Sequence, residues 1–115
     1  MVRREKERTV DLVKMFNGPG EARMVRIREN DEELYNKGRV FRHLYLEPGC
    51  GVGWHIHKGD GEVYYILKGE GEYNDNGTVV TVYPGDVTFV DDGEGHSLTN
   101  KGQETLEAIA LVLYK

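Results

Sequence analysis

Residues 49–69 read Gly-Cys-Gly-Val-Gly-Trp-His-Ile-His-Lys-Gly-Asp-Gly-Glu-Val-Tyr-Tyr-Ile-Leu-Lys-Gly, and the rest of the sequence is interpreted outward from them. In an extended strand, side chains two residues apart point to one face about 7 Å from each other, so His55 and His57 can converge. Residues 58–61 predict a tight turn, after which Glu62 returns on the neighbouring strand toward the same spot. On its own, this pattern is more typical of two exposed histidines beside an unrelated carboxylate.

The composition indicates one globular domain with many strands. The chain has 115 residues, with 15 glycines and only 3 prolines, which favours short strands joined by turns. The net charge of −5 argues against a nucleic-acid or anionic-membrane surface. The single Cys50 cannot form an internal disulfide, and no apolar run reaches the length of a membrane span. We therefore expect a cytoplasmic protein with no membrane or nucleic-acid partner.

The N-terminal part predicts an extension to the main fold. Residues 1–8 are mostly charged, and we expect a solvated, frayed segment; a basic arm for an acidic partner is the alternative. A short edge strand is predicted at 9–16, a loop at 17–20 and a half-exposed strand at 22–28. Asn30 followed by acidic residues predicts at most one short helix near residues 31–36.

From residue 39 onward every segment predicts a strand. Turn sequences separate the segments at short, even intervals, which is typical of an antiparallel sandwich or barrel. The predicted strands are 40–46, 63–67, 71–74, 78–83, 87–90, 96–99 and 106–114, and the strand that carries the histidine pair lies before Glu62. The sequence thus predicts an all-β fold.

Two spaced motifs resemble those of the cupin superfamily. The first motif matches at Gly49, His55, His57, Glu62 and Gly69. The second matches at Gly85, Gly93, His96 and Asn100, with Asp91 where the family usually has proline. The resemblance implies an antiparallel double-stranded β-helix, or jelly-roll barrel, in one domain spanning residues 1–115, with its core at 39–115. It also implies one metal ion bound by His55, His57, Glu62 and His96.

The chemistry of this ligand set agrees with the resemblance. Three imidazoles and one carboxylate suit Mn²⁺, Fe²⁺, Co²⁺, Ni²⁺ or Zn²⁺. Four protein ligands on an octahedral ion leave two positions for water or a chelating molecule. The ion and its ligands together carry about +1, so a small anion or enolate would be stabilised there.

Strand alternation predicts which other side chains line the pocket. If Glu62 faces inward, so does Tyr64, a candidate hydrogen-bond or proton donor. Small inward residues at Ala108 and Ala110 would leave space beside the ion. Arg42 shares the inward face of its strand and is a candidate clamp for a substrate carboxylate, although an arginine extending from the barrel mouth is an equally good interpretation.

The opposite face of that strand carries Phe41, His43 and Tyr45. Together with Trp54, these side chains are interpreted as sheet packing or a dimer interface, and His43 is left out of the metal site. We expect a homodimer.

The sequence favours an enzyme over a binding module. The first hypothesis is a metal-dependent enzyme acting on an oxygen-rich small molecule, such as an organic acid, a sugar derivative or an enolisable carbonyl. Decarboxylase, dioxygenase and isomerase chemistry all occur among relatives that the resemblance implies. Oxalate-degrading relatives commonly carry two cupin domains, which argues against oxalate for this single domain. The alternative is a non-catalytic, small-molecule-binding or sensor cupin.

Overall fold

The predicted all-β antiparallel architecture is confirmed by the computed structural model, which describes all 115 residues. The chain forms ten strands and two short 3₁₀ helices. The strands are β1 (Val10–Val13), β2 (Ala22–Arg26), β3 (Gly38–Leu46), β4 (Gly51–Ile56), β5 (Asp60–Lys68), β6 (Gly71–Asp75), β7 (Thr78–Val82), β8 (Val87–Val90), β9 (Gly95–Thr99) and β10 (Leu106–Tyr114), and the 3₁₀ helices span Glu5–Glu7 and Asp31–Leu34.

The strands form two antiparallel sheets that enclose the core between them. The larger sheet has the order β1-β2-β3-β10-β5-β8, and the smaller has the order β4-β9-β6-β7. Buried side chains from both sheets, such as Leu46 and Ile66 from the larger and Tyr73 and Leu98 from the smaller, belong to one cluster. The site described below lies between these sheets.

Side-chain alternation along β5 and β10, which are neighbours in the larger sheet, determines what faces the interior. Tyr64 and Ile66 on β5 are buried, as are Ala108, Ala110 and Val112 on β10. Tyr64, Ala108 and Ala110 are among the residues that the sequence pattern predicts to point inward. The intervening side chains on both strands lie on the outer face of the sheet.

The predicted short helix is the 3₁₀ helix at Asp31–Leu34. Asn30 Oδ1 accepts a hydrogen bond from the backbone N–H of Glu33 at 3.2 Å, so Asn30 is the N-cap. The helix ends at Tyr35, whose φ of 54° is left-handed. Neither 3₁₀ helix is long or apolar enough to cross a membrane.

The N-terminal segment differs from the frayed tail that the sequence predicts. Arg3 pairs with the Glu33 carboxylate at 3.0 Å and also donates to the Ile27 carbonyl oxygen at 3.2 Å. Arg8 donates to the carbonyl oxygen of Arg26 at 2.8 Å. The high charge of residues 1–8 predicts a solvated segment. The sequence pattern could not show that these arginines have partners in distant parts of the chain.

Residues 15–20, here called the strap, run along the free edge of β4. The backbone N–H of Gly53 donates to the Met15 carbonyl oxygen at 2.9 Å, and that of Gly51 donates to the Pro19 carbonyl oxygen at 2.8 Å. The strap therefore covers an edge of the smaller sheet that would otherwise expose unpaired backbone groups. It also brings Phe16 to the mouth of the barrel.

Candidate metal centre

Four side chains converge between the two sheets. His55 lies on β4, His57 follows directly after β4, and His96 lies on β9 of the same sheet, whereas Glu62 projects from β5 of the opposite sheet. One ligand atom from each lies within 4.8 Å of all the others. The structure thus brings together the four residues singled out in the sequence.

The route by which Glu62 reaches the site differs from the prediction. A tight turn at residues 58–61 predicted β4 and β5 as hairpin neighbours. In the structure β4 pairs with β9, and β5 pairs with β10 and β8. The chain crosses from one sheet to the other at this point, so Glu62 faces the histidines across the barrel.

A β-bulge directs His55 into the barrel. On β4, Val52 pairs with Leu98 and His55 pairs with His96, so two residues of β4, Gly53 and Trp54, oppose the single residue Ser97 of β9. The extra residue reverses the alternation of β4 between these positions. Val52 and His55 consequently both line the interior, although strict alternation would place them on opposite faces.

The separations between ligand atoms fit one metal ion. His96 Nε2 lies 3.1 Å from His55 Nε2 and 3.3 Å from His57 Nε2. Glu62 Oε1 lies 3.0 Å, 3.4 Å and 3.9 Å from the Nε2 atoms of His96, His57 and His55, respectively. Ligands about 2.1 Å from one ion are about 3.0 Å apart at right angles and about 3.4 Å apart at the tetrahedral angle. The cluster could therefore hold a divalent transition-metal ion.

Each imidazole is held in place through its other nitrogen. His55 Nδ1 donates to the Gly53 carbonyl oxygen at 2.8 Å. His57 Nδ1 lies 2.6 Å from Asp60 Oδ1, and His96 Nδ1 lies 2.8 Å from the Tyr73 hydroxyl. With their protons on Nδ1, all three rings turn an Nε2 lone pair toward the centre of the cluster, as metal-binding histidines do.

The electrostatics of the cluster favour the ionised form of the Glu62 carboxylate. Burial raises the pKa of Glu62, but the three neighbouring histidines outweigh burial and bring the pKa well below the usual value. The adjacent Glu62 carboxylate raises the pKa of His57, because it stabilises the protonated imidazole. Burial lowers the pKa of His96 and so favours its neutral form, which is the form that binds metals.

The cluster opens into a small, mainly apolar cavity of about 60 Å³. Fourteen residues line it, and nine of them are hydrophobic, including Met15, Met24, Val40 and Leu44. The Phe16 ring stacks on His55 with centroids 3.9 Å apart and an angle of 10° between the planes. Phe16 has a φ of 50°, a backbone conformation that L residues rarely adopt and that occurs often at functional sites.

The two further residues predicted for the pocket both line this cavity. Tyr64 stacks on His96 with centroids 5.1 Å apart and is buried. Burial, together with the nearby charge of Glu62, raises the pKa of Tyr64 well above its usual value, so its hydroxyl keeps its proton. The Arg42 side chain faces the same cavity, and its one hydrogen-bond partner is Met24 Sδ at 3.3 Å. His43, which was left out of the predicted metal site, does not line this cavity.

Three residues of the site were not predicted. Asp60 falls in the tight turn predicted at residues 58–61 and was not assigned to the site, yet it is 5% exposed and contacts His57. Its position three residues after His57 was the available signal. Tyr73 contacts His96 from β6, and Phe16 comes from the strap; both depend on tertiary contacts that the sequence pattern does not contain.

A family model described as a cupin domain matches residues 42–113, which is more than half of the chain. This chain belongs to the cupin family. The matched region of this cupin includes all four residues of the cluster. The resemblance stated from the two motifs is therefore confirmed.

This cupin is 43% identical over 114 residues to a Thermotoga maritima protein named oxalate-binding protein, with 98% of this chain and 93% of the relative covered. A crystal structure from Thermotoga maritima, described as a predicted oxalate decarboxylase, matches with a TM-score of 0.93 at 42% identity and covers all of both chains. The polyketide cyclase RemF from Streptomyces resistomycificus shares the fold at 19% identity, with a TM-score of 0.75 and 99% of this cupin and 80% of RemF covered.

Proposed function

We propose that this cupin binds one divalent transition-metal ion through His55, His57, Glu62 and His96 and acts as an enzyme on a small, chelating organic acid held next to that ion. The observation that supports this proposal is the position of Arg42. Arg42 lines the same small cavity as three of the candidate ligands, His55, His57 and Glu62, and has no carboxylate partner.

An arginine without a carboxylate partner in an apolar cavity favours an anionic ligand. Burial lowers the pKa of Arg42, but the guanidinium stays charged at any physiological pH. Keeping that charge among apolar groups costs free energy unless an anion pairs with it. A carboxylate of the ligand would supply that pair, with the bidentate geometry that guanidinium groups favour.

The size of the cavity favours an organic acid over a sugar derivative. Its volume of about 60 Å³ favours a molecule of a few heavy atoms, and most of its lining is apolar. The relative named oxalate-binding protein supports the same ligand class. Because this chain covers 93% of that relative, the presence of a single cupin domain is no argument against oxalate binding.

The residues around the cavity have separable roles in the proposed reaction. When bound, the metal ion would act as a Lewis acid toward a chelating carboxylate. Arg42 orients the ligand. Tyr64 is the candidate hydrogen-bond donor to the ligand, because its raised pKa keeps the hydroxyl protonated and its side chain lines the cavity.

The second candidate function is binding without turnover. The lack of a second carboxylate in the cavity favours this alternative, because no general base stands free of the metal ligands. The name of the Thermotoga maritima oxalate-binding protein points in the same direction. Product formation distinguishes the two candidates.

The test begins with metal analysis of protein purified without added metal, for which we expect near-stoichiometric transition metal. Calorimetric titration of the metal-loaded protein with oxalate and other small acids should give at least about tenfold weaker binding for Arg42→Ala. Arg23→Ala is the matched control, because Arg23 lies outside the cavity with its guanidinium 3.8 Å from the Tyr45 ring centroid. Its affinity should equal that of the wild type.

The proposal fails if the wild-type protein takes up no metal or if Arg42→Ala binds acids as tightly as the wild type does. The same acids are incubated with metal-loaded protein, with and without O₂, and products are quantified. Turnover supports the enzyme, and tight binding without product supports the binding protein.

We also propose a homodimer formed through the outer face of the larger sheet. Apolar side chains on this face form two rows that run across the strands. Within each row, the residues on adjacent strands are directly paired. We call these residues the outer apolar face: Phe41, Leu111, Val63 and Phe89 in one row, and Ile109, Tyr65 and Val87 in the other.

A cytoplasmic location is likewise proposed, and the free thiol of Cys50 supports it.

The predicted location of this interface needs two corrections. His43 and Tyr45 stack on each other at 4.2 Å, and His43 Nε2 lies 2.9 Å from Glu107 Oε1, so this end of the face is polar and internally paired. Trp54 lies on the smaller sheet, where its ring covers Gly95. The proposed interface is therefore centred on β10, β5 and β8.

A further inference from the structure

A buried carboxylate stands directly behind one of the candidate metal ligands. Asp60, the first residue of β5, is 5% exposed. Its Oδ1 lies 2.6 Å from His57 Nδ1, and its Oδ2 accepts a hydrogen bond from Arg39 Nε at 2.8 Å. Both oxygens of the carboxylate are thus engaged, one by the imidazole and one by the guanidinium.

This arrangement determines which nitrogen of His57 carries the proton. An ionised carboxylate only accepts hydrogen bonds, so the short contact requires a proton on Nδ1. Nε2 is then left with a free lone pair. That atom lies 3.4 Å from Glu62 Oε1 and 3.3 Å from His96 Nε2, at the centre of the cluster.

We propose that Asp60, anchored by Arg39, is a positioning residue that holds His57 in the tautomer and orientation required for metal binding. The inference rests on the proposed metal site and goes beyond it by assigning an unequal role to one of the three imidazoles. His57 is the ligand whose ring is supported by a negative charge.

The other two imidazoles provide the contrast. His55 Nδ1 donates to a backbone carbonyl oxygen, and the partner of His96 Nδ1 is the neutral hydroxyl of Tyr73. A charged acceptor makes a stronger hydrogen bond than a neutral one and raises the basicity of the opposite nitrogen. His57 is consequently the strongest nitrogen donor of the set.

Arg39 restricts the carboxylate to this orientation. The guanidinium comes from β3, is 43% exposed and lies at the wall of the cavity. Its Nε donates to Asp60 Oδ2, and this ion pair favours the ionised carboxylate. Arg39 therefore helps to keep Asp60 both ionised and directed at His57.

The first test reads the tautomer in metal-free protein. Nitrogen-15 NMR of the imidazoles, at a pH where they are neutral, should report His57 protonated on Nδ1 in the wild type. In Asp60→Asn the amide can donate or accept, so we expect a mixture of the two tautomers. The signals of His55 and His96 should keep their wild-type pattern. An unchanged His57 tautomer in Asp60→Asn overturns the proposal.

The second test measures metal affinity by competition with a chelator, using Zn²⁺ and Co²⁺. Asp60→Asn should bind each ion about 10–100-fold more weakly. Asp92→Asn is the matched control, because it removes the same charge from the same loop region. Asp92 accepts a hydrogen bond from the Gly59 N–H at 2.7 Å and does not contact a histidine. It should stay within about twofold of the wild type. Equal affinities for the two variants overturn the proposal.

The Co²⁺ form gives an independent spectroscopic signature, because its visible absorption depends on the ligand set. We expect a changed spectrum for Asp60→Asn and a wild-type spectrum for Asp92→Asn. If Asp60→Asn does not fold, Arg39→Gln takes its place; several-fold weaker metal binding supports the proposal and wild-type binding contradicts it. A wild-type protein that binds no metal refutes the proposed function, whereas the tautomer measurement still decides the role of Asp60.

Discussion

Asn100, the last residue of the second cupin motif, joins three segments of backbone at one end of the barrel. It is fully buried. Its Nδ2 donates to the carbonyl oxygens of Leu46 and Glu104 at 2.8 Å and 2.7 Å, and its Oδ1 accepts from the Gly102 N–H at 2.9 Å. The amide group is the one side chain that can donate twice and accept once in this space, which explains why asparagine occupies the position.

Replacing Asn100 with alanine should destabilise the fold strongly. The substitution leaves two carbonyl oxygens and one N–H without their partner in a buried position, and we expect a loss on the order of 3 kcal/mol in the free energy of unfolding. Urea denaturation followed by tyrosine and tryptophan fluorescence measures the loss. Gln103→Ala, in the exposed part of the same turn, is the control and should change stability by less than about 0.5 kcal/mol. Equal stabilities would contradict the role given to Asn100.

At the scale of single residues, side chains on regular strands were predictable and side chains at crossings were not. Glu62 and Tyr64 follow from simple alternation along β5, and His96 follows from motif spacing. The burial of Asp60 was not predicted, because a glycine-flanked aspartate is typical of a solvated turn. Its burial arises from the passage of the chain between two sheets, a tertiary event without a local pattern.

At the scale of elements, β4 and the strap form one unit that shapes the mouth of the cavity. The bulge turns His55 inward, and the strap places Phe16 against that ring. The two pieces approach closely at Gly53, where an added Cβ would lie only 2.1 Å from the Phe16 carbonyl oxygen and 2.8 Å from the Gly18 nitrogen. Only glycine allows this approach.

Gly53→Ala should therefore displace the strap. Both obstructing atoms are backbone, so they cannot move aside as a flexible side chain would, and we expect a loss of about 1–3 kcal/mol in stability. Hydrogen exchange should show faster exchange of the Gly51 amide, which donates to Pro19 in the strap. Gly102→Ala is the control, since an added Cβ there meets only ordinary contacts from 3.4 Å outward. Unchanged protection of Gly51 in Gly53→Ala would show that the strap does not depend on this contact.

Strand pairing was the part of the fold that could be predicted least well from the sequence. Turn sequences located the strands well, and β3, β6, β7 and β8 lie close to their predicted bounds. Periodicity does not say which strand lies beside which, because a tight turn can join hairpin partners or carry the chain to the opposite sheet. The resemblance to cupins supplied the barrel; composition and alternation alone indicated only an antiparallel sandwich or barrel.

At the scale of the whole molecule, the larger sheet has apolar residues on both faces. Its inner face packs on the core, whereas an antiparallel sheet normally turns a polar face to water. Tyr65, Val87 and Phe89 on the outer apolar face are 46%, 64% and 57% exposed. With their neighbours they form a contiguous exposed apolar patch, and patches of this kind mark interaction sites on soluble proteins.

A second copy of the chain is the partner that this face fits best, because a two-fold axis lets the same apolar rows bury each other. Sedimentation velocity at micromolar concentration should show a dimer for the wild type. Val87→Glu should shift it to monomer, because a carboxylate buried in the interface is costly without a partner. Val79→Glu is the matched control: it makes the same change on the smaller sheet at a side chain that is 58% exposed, and it should remain dimeric. A monomeric wild type, or a dimer that persists in Val87→Glu, would place the interface elsewhere or remove it.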